Sequence, residues 1–89
     1  MTIFKYSLDR SSSEPEQELS LPLGARILCV QIQDSVLCLW ALVKQHAHAE
    51  IRTFVICDTG EEIDSRNLKY IGTYQFTGSV GHVFEKIVK

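Results

Sequence analysis

The 89 residues carry nine Lys and Arg against eleven Asp and Glu, a formal charge of −2, and 45% hydrophobic residues. That length gives one domain with one modest core, and the composition is that of a folded chain. The charge offers no electrostatic case for DNA or RNA as the main partner; Arg26, Lys44, Arg52, Arg66 and Lys69 are spread along the chain as a solvated surface would have them.

Taken in order, Ile3 to Leu8 alternates with period two, placing Phe4, Tyr6 and Leu8 on one face and Ile3, Lys5 and Ser7 on the other, which predicts an outer strand. Residues 9–18 (DRSSSEPEQE) hold no apolar residue except Pro15 and read as a mobile loop. Leu19 to Leu21 is a short strand stopped by Pro22, and Leu23-Gly24 turns into the stretch around which the chain is organised.

That stretch, Gly24 to Val43, holds two apolar runs, Ile27–Ile32 and Val36–Val43, around a polar Asp34-Ser35 pair, the pattern of a tight β-hairpin. The register places Ile32, Val30 and Leu28 opposite Leu37, Leu39 and Ala41. On the other face, Gln33, Gln31, Cys29 and Ile27 meet Val36, Cys38, Trp40 and Leu42. Asp-Ser lacks the glycine that primed turns favour, which leaves room for a one-residue shift through a bulge. Two mostly apolar faces predict a central hairpin covered on both sides.

Lys44 to Glu50 reads as a loop, and Ile51 to Cys57 as a strand with Phe54 and Ile56 on one face. Asp58 to Glu62 is turn-rich, with Gly60 supplying positive φ and Asp58 capping its own backbone. In Leu68–Phe76, Gly72 interrupts the parity of Leu68, Tyr70, Tyr74 and Phe76 and marks a bulge or a close backbone approach. Thr77-Gly78-Ser79 turns the chain into a last strand, His82 to Val88. The expected fold is all-β: residues 1–89 as a single small antiparallel sandwich or open barrel of about seven strands.

Three cysteines, Cys29, Cys38 and Cys57, sit in apolar runs; an odd count with no C-x-x-C spacing reads as free thiols in a reducing cytoplasm, with one cross-strand disulfide as the alternative. No stretch is long and apolar enough to span a bilayer, and the first ten residues carry no signal-peptide core, so a cytoplasmic protein is expected, with no membrane partner.

Asp58-Thr59-Gly60 follows a hydrophobic run, as the catalytic tripeptide of retroviral aspartic proteases does. In such dimers two aspartates share one proton. Those enzymes carry the tripeptide early, whereas here only 29 residues follow Gly60, so a turn is the better reading. His46-Ala47-His48 has the spacing of a metal pair without further ligands at a convincing spacing, and no metal or cofactor is expected. His82 beside Gly81 reads as a residue that stacks or caps a turn. Gln31 and Gln33 are carboxamides on an otherwise apolar face and need partners if buried. Trp40, Tyr70, Tyr74 and Phe76 are expected in the core; at a rim, any of them would anchor a partner. No catalytic residue is assigned, and an enzyme is not expected.

Phe4-Lys5-Tyr6, Leu21-Pro22-x-Gly24-Ala25-x-Ile27-Leu28, Val30-Gln31-x-Gln33, Leu39–Val43, Thr59-Gly60, Tyr70-Ile71-Gly72-Thr73-x-Gln75 and His82-Val83-Phe84-Glu85 follow one another in this order. The ordered set, over nearly the whole chain, resembles an uncharacterised family of small phage and prophage proteins. The chain departs from it at Asp58, where a Gly-Thr-Gly turn is expected, which takes the aspartate out of the pattern. The resemblance implies a phage accessory protein that binds and blocks a host protein, for example an anti-phage defence component. The alternative is sequestration of a small signalling nucleotide in a pocket or dimer interface, with Gln31, Gln33, Trp40, Arg52 and His82 as the binding residues; the sequence leaves both a monomer and a homodimer open.

Overall fold

The computed structural model describes residues 1–87. Seven strands form: β1 (Thr2–Leu8), β2 (Glu16–Pro22), β3 (Arg26–Gln33), β4 (Val36–Val43), β5 (Ala49–Asp58), β6 (Leu68–Phe76) and β7 (Ser79–Lys86). They make two antiparallel sheets, a smaller one in the order β1-β4-β3 and a larger one in the order β2-β5-β7-β6. The shortest dimension, 19 Å, is that of two stacked sheets, and the sheets do not close into a barrel. The all-β sandwich expected from the pattern is what the chain forms.

The core follows from alternation. On β4, Leu37, Leu39, Ala41 and Val43 are all at most 1% exposed and point at the larger sheet, which answers with Leu21, Phe54, Tyr74 and Val83. Leu8 from β1 and Val30 from β3 complete the smaller sheet's inner face. Two glycines let backbone and aromatic rings come close. Tyr74 faces Gly81 across the β6–β7 ladder, and its ring lies where a Gly81 side chain would be. At Gly72 a Cβ would stand 2.9 Å from Val30 Cγ2, so β6 and β3 approach one another at that corner.

The β3–β4 hairpin keeps the expected register from Gln33↔Val36 to Cys29↔Trp40. Its turn residues Asp34 and Ser35 both take positive φ, 50° and 66°, as a primed turn requires even without glycine. A bulge at Leu28 then pairs Ile27 with Ala41, so Ile27 turns inward and Leu28 is 41% exposed. A second bulge, between Tyr70 and Gly72, turns Tyr70 out to 56% exposure while Tyr74 stays in.

Several expectations change. The hairpin is not covered on two sides: β4 is central, but β3 is an edge strand, and on the outer face of the smaller sheet Ile3, Lys5, Gln31, Gln33 and Val36 are exposed. Trp40 therefore leaves the core, as Tyr70 does through the bulge before Gly72. The loop of residues 9–18 ends sooner, because β2 starts at Glu16; backbone pairing with β5 suits an edge strand whose Glu16 and Glu18 face water. β5 begins at Ala49 and β7 at Ser79, both ahead of the expected starts. Val88, expected to end the last strand, lies outside the described residues.

Candidate binding surface

The outer face of the smaller sheet is built on the even positions of β4. Val36, Cys38, Trp40 and Leu42 alternate with the buried odd positions and point away from the larger sheet. Neighbouring strands add Ile3 and Lys5 from β1 and Cys29, Gln31 and Gln33 from β3. Lys5 stands opposite Trp40, and its Nζ donates to Gln33 Oε1 at 2.7 Å, so its stem runs diagonally across β4 over Cys38. Cys38, on the line of that stem, is only 2% exposed. Trp40, the single tryptophan, stays half-buried at the middle of this face, with Val36 and Ile3 exposed near its margins.

The five residues singled out from the sequence divide among three places. Gln31, Gln33 and Trp40 share the outer face just described; Gln31 and Gln33 are both exposed, and Gln33 has Lys5 as its partner.

Arg52 lies between the sheets. Its Nε and Nη2 donate to the two carboxylate oxygens of Glu85 at 2.6 and 2.8 Å, and Nη1 donates to the Ala25 carbonyl. The pair is largely buried, with side-chain exposures of 18% and 11%. The bond to Glu85 raises the Arg52 pKa against the opposing pull of burial.

His82 is on the opposite side of the sandwich, the outer face of the larger sheet. Its Nε2 meets Thr59 Oγ1 at 2.7 Å and its Nδ1 meets Thr73 Oγ1 at 2.9 Å, while Thr73 Oγ1 meets Tyr70 Oη at 2.6 Å. Tyr70 also packs edge-on against Phe84, with ring centroids 5.6 Å apart. Thr59 and Thr73 were not singled out in the sequence, although the two-residue turn at Thr77-Gly78 fixes the β6–β7 register and so places Thr73 opposite His82.

β5 and β6 run in the same direction on either side of β7, so residues 59–67 must travel the length of the larger sheet. Between this connection and the sheet lies a cleft of about 560 Å³, bordered by Glu16, Val55, Cys57, Ile63, Leu68 and Lys86. At its start Gly60 takes φ +92°, and the Asp58 N–H is capped by Glu61 Oε1 at 2.9 Å. The cap expected from Asp58 is thus supplied by Glu61. His46 and His48 are exposed in the β4–β5 loop, and among the described residues no three His, Cys, Asp or Glu side chains are grouped to hold a metal ion.

All three cysteines are unpaired. Burial, helped by Glu61 and Asp58, raises the Cys57 thiol above its ordinary 9.0, and burial, helped mainly by Asp58, raises the Tyr74 phenol above its ordinary 10.0. Both groups ionise more readily in the unfolded chain. Their contribution to stability is therefore intact below the ordinary values and is lost as pH climbs through the folded ones. Melting temperatures recorded across the alkaline range should fall first near pH 9 and further above pH 10. Tyr74→Phe should remove the second step; an unaltered decline in that variant would show that Tyr74 is not its source.

Fold and surface together define a small two-layer antiparallel β-sandwich with one open, tryptophan-centred sheet face. The chain belongs to the domain of unknown function DUF7352, whose family model matches residues 1–89. No curated protein and no solved structure matches it.

Proposed function

We propose that this chain is a stoichiometric binding protein, a phage accessory factor that occupies and blocks a host protein such as a defence component, without catalysis of its own. The observation that carries the reading is the placement of Trp40: the one tryptophan sits on the open sheet face, while the core is filled by Leu, Val, Phe54 and Tyr74. Tryptophan is among the residues that most often dominate binding energy, best when ringed by groups that exclude water. Here the neighbours on the same face are Lys5 and Ile3 from β1, Leu42 from β4, and Cys29 and Gln31 from β3. The phage setting rests on the ordered sequence resemblance, from Phe4-Lys5-Tyr6 to His82-Val83-Phe84-Glu85.

The test compares the wild-type chain with Trp40→Ala as bait in bacterial lysate. The expected result is one protein retained in stoichiometric amount by the wild type and lost by the variant, with both chains equally folded. Retention of that protein by Trp40→Ala would move the contact off this face. A wild type that retains nothing, but melts several degrees higher with a nucleotide or cyclic dinucleotide, would replace blocking with sequestration.

A further inference from the structure

A two-sheet sandwich has four edge strands, here β1, β3, β2 and β6. Three of them are protected against pairing with another chain. β2 carries Glu16 and Glu18 and ends on Pro22. β3 is bent by the bulge at Leu28, and β6 by the bulge before Gly72; the two also lie against each other where Gly72 meets Val30.

β1 has none of these devices. Its seven residues, Thr-Ile-Phe-Lys-Tyr-Ser-Leu, pair with β4 in unbroken register from Thr2↔Val43 to Leu8↔Leu37. They include no proline, glycine or bulge. Its one charge, Lys5, is drawn away from the edge across β4 to Gln33. Apolar side chains are left in the open along it, Ile3 at 57% exposure and Phe4 at 38%.

We infer that β1 pairs antiparallel with β1 of a second copy of this chain, joining two smaller sheets into one continuous six-stranded sheet. A two-fold axis normal to the sheet keeps inner faces with inner faces only if opposed residues have the same parity, so the axis passes through Phe4, Lys5 or Tyr6. An axis at Lys5 sets the two Lys5 side chains against each other and Ile3 against the short Ser7, which leaves Ile3 with little cover. An axis at Tyr6 leaves Ile3 without a partner. At Phe4 the axis sets Phe4 against its own copy, Ile3 against the Lys5 stem and Thr2 against Tyr6, covering both exposed apolar residues. The same axis puts the two Trp40 faces on one side of the joined sheet, so the dimer presents the proposed contact surface twice.

Light scattering of the purified full chain should give twice the chain mass, and its melting temperature should rise with protein concentration. Phe4→Lys, which places two lysines at the axis, should give the single-chain mass with unchanged strand content. Ile3→Glu should instead tighten the dimer several-fold, because each new carboxylate draws the other copy's Lys5 from Gln33 back to the edge. Trp40→Ala should leave the mass at twice the chain, which separates this interface from the binding face. A wild type that scatters as one chain at every concentration overturns the pairing. An Ile3→Glu variant that dissociates overturns the register. If Phe4→Lys fails to fold, the Ile3→Glu shift still decides.

Discussion

Arg52→Ala should destabilise the fold by about 3 kcal/mol, the cost of leaving a largely buried carboxylate without its partner. In a domain of this size that corresponds to a fall in melting temperature of roughly 15 °C, a large part of a marginal total. Glu85 is 8% exposed, and both of its carboxylate oxygens accept from the one guanidinium. The substitution also removes the donor to the Ala25 carbonyl at the entrance to β3, so it loosens a tie between the sheets as well as the β5–β7 pair. The Coulombic attraction and the desolvation of the two ions nearly offset each other, whereas an isolated ion has only the desolvation. Arg52→Met combined with Glu85→Leu should therefore recover most of the loss. Thermal melts of the two single variants and the double variant check this, and a double variant as unstable as Arg52→Ala would show that the Ala25 contact, not the ion pair, carries the effect.

Gly81→Val should cost about 3 kcal/mol, at the upper end for overpacking a core. Any Cβ at that position enters the Tyr74 ring, and Tyr74 is itself 7% exposed with the core on its other side. The ring can make room only by leaving its place between the sheets, which opens a void beside Val83 and Phe54. Gly81→Ala should show the same defect at roughly half the size. The cause is a single pair of residues facing each other across one ladder, so Tyr74→Leu should rescue Gly81→Ala in a double-variant cycle. Additive losses in that cycle would place the strain elsewhere.

What could be read in advance was local. The β3–β4 register followed from a two-residue loop and period-two alternation, and it held for five consecutive pairs up to the bulge at Leu28. Gly72 marked both a bulge and a close approach, because a residue without a side chain serves each. Alternation tells which residues share a face but not whether another sheet lies on it. That is why Trp40, apolar and in phase with apolar neighbours, read as core and stands outside it, while Tyr70 lost its phase with Tyr74 at the bulge before Gly72. Arg52 read as a binding residue because its partner, Glu85, is 33 positions away in a strand whose pairing no local pattern reveals. Those two charges explain each other once β5 and β7 are side by side.

The order of strands also governs how the chain reaches this state. Only β3–β4 and β6–β7 join strands that follow one another; β1–β4, β2–β5 and β5–β7 pair strands separated by others. Such distant pairings put folding on the slow side of the small-domain range, since long loops must close before any contact rewards them. On the ribosome, β1 emerges about 30 residues ahead of the strand that covers one of its edges, a wait of a few seconds at ordinary synthesis rates. Throughout that interval Thr-Ile-Phe-Lys-Tyr-Ser-Leu is an unpaired segment of high β propensity. Crowded synthesis therefore gives it the chance to find another nascent β1 before its own β4.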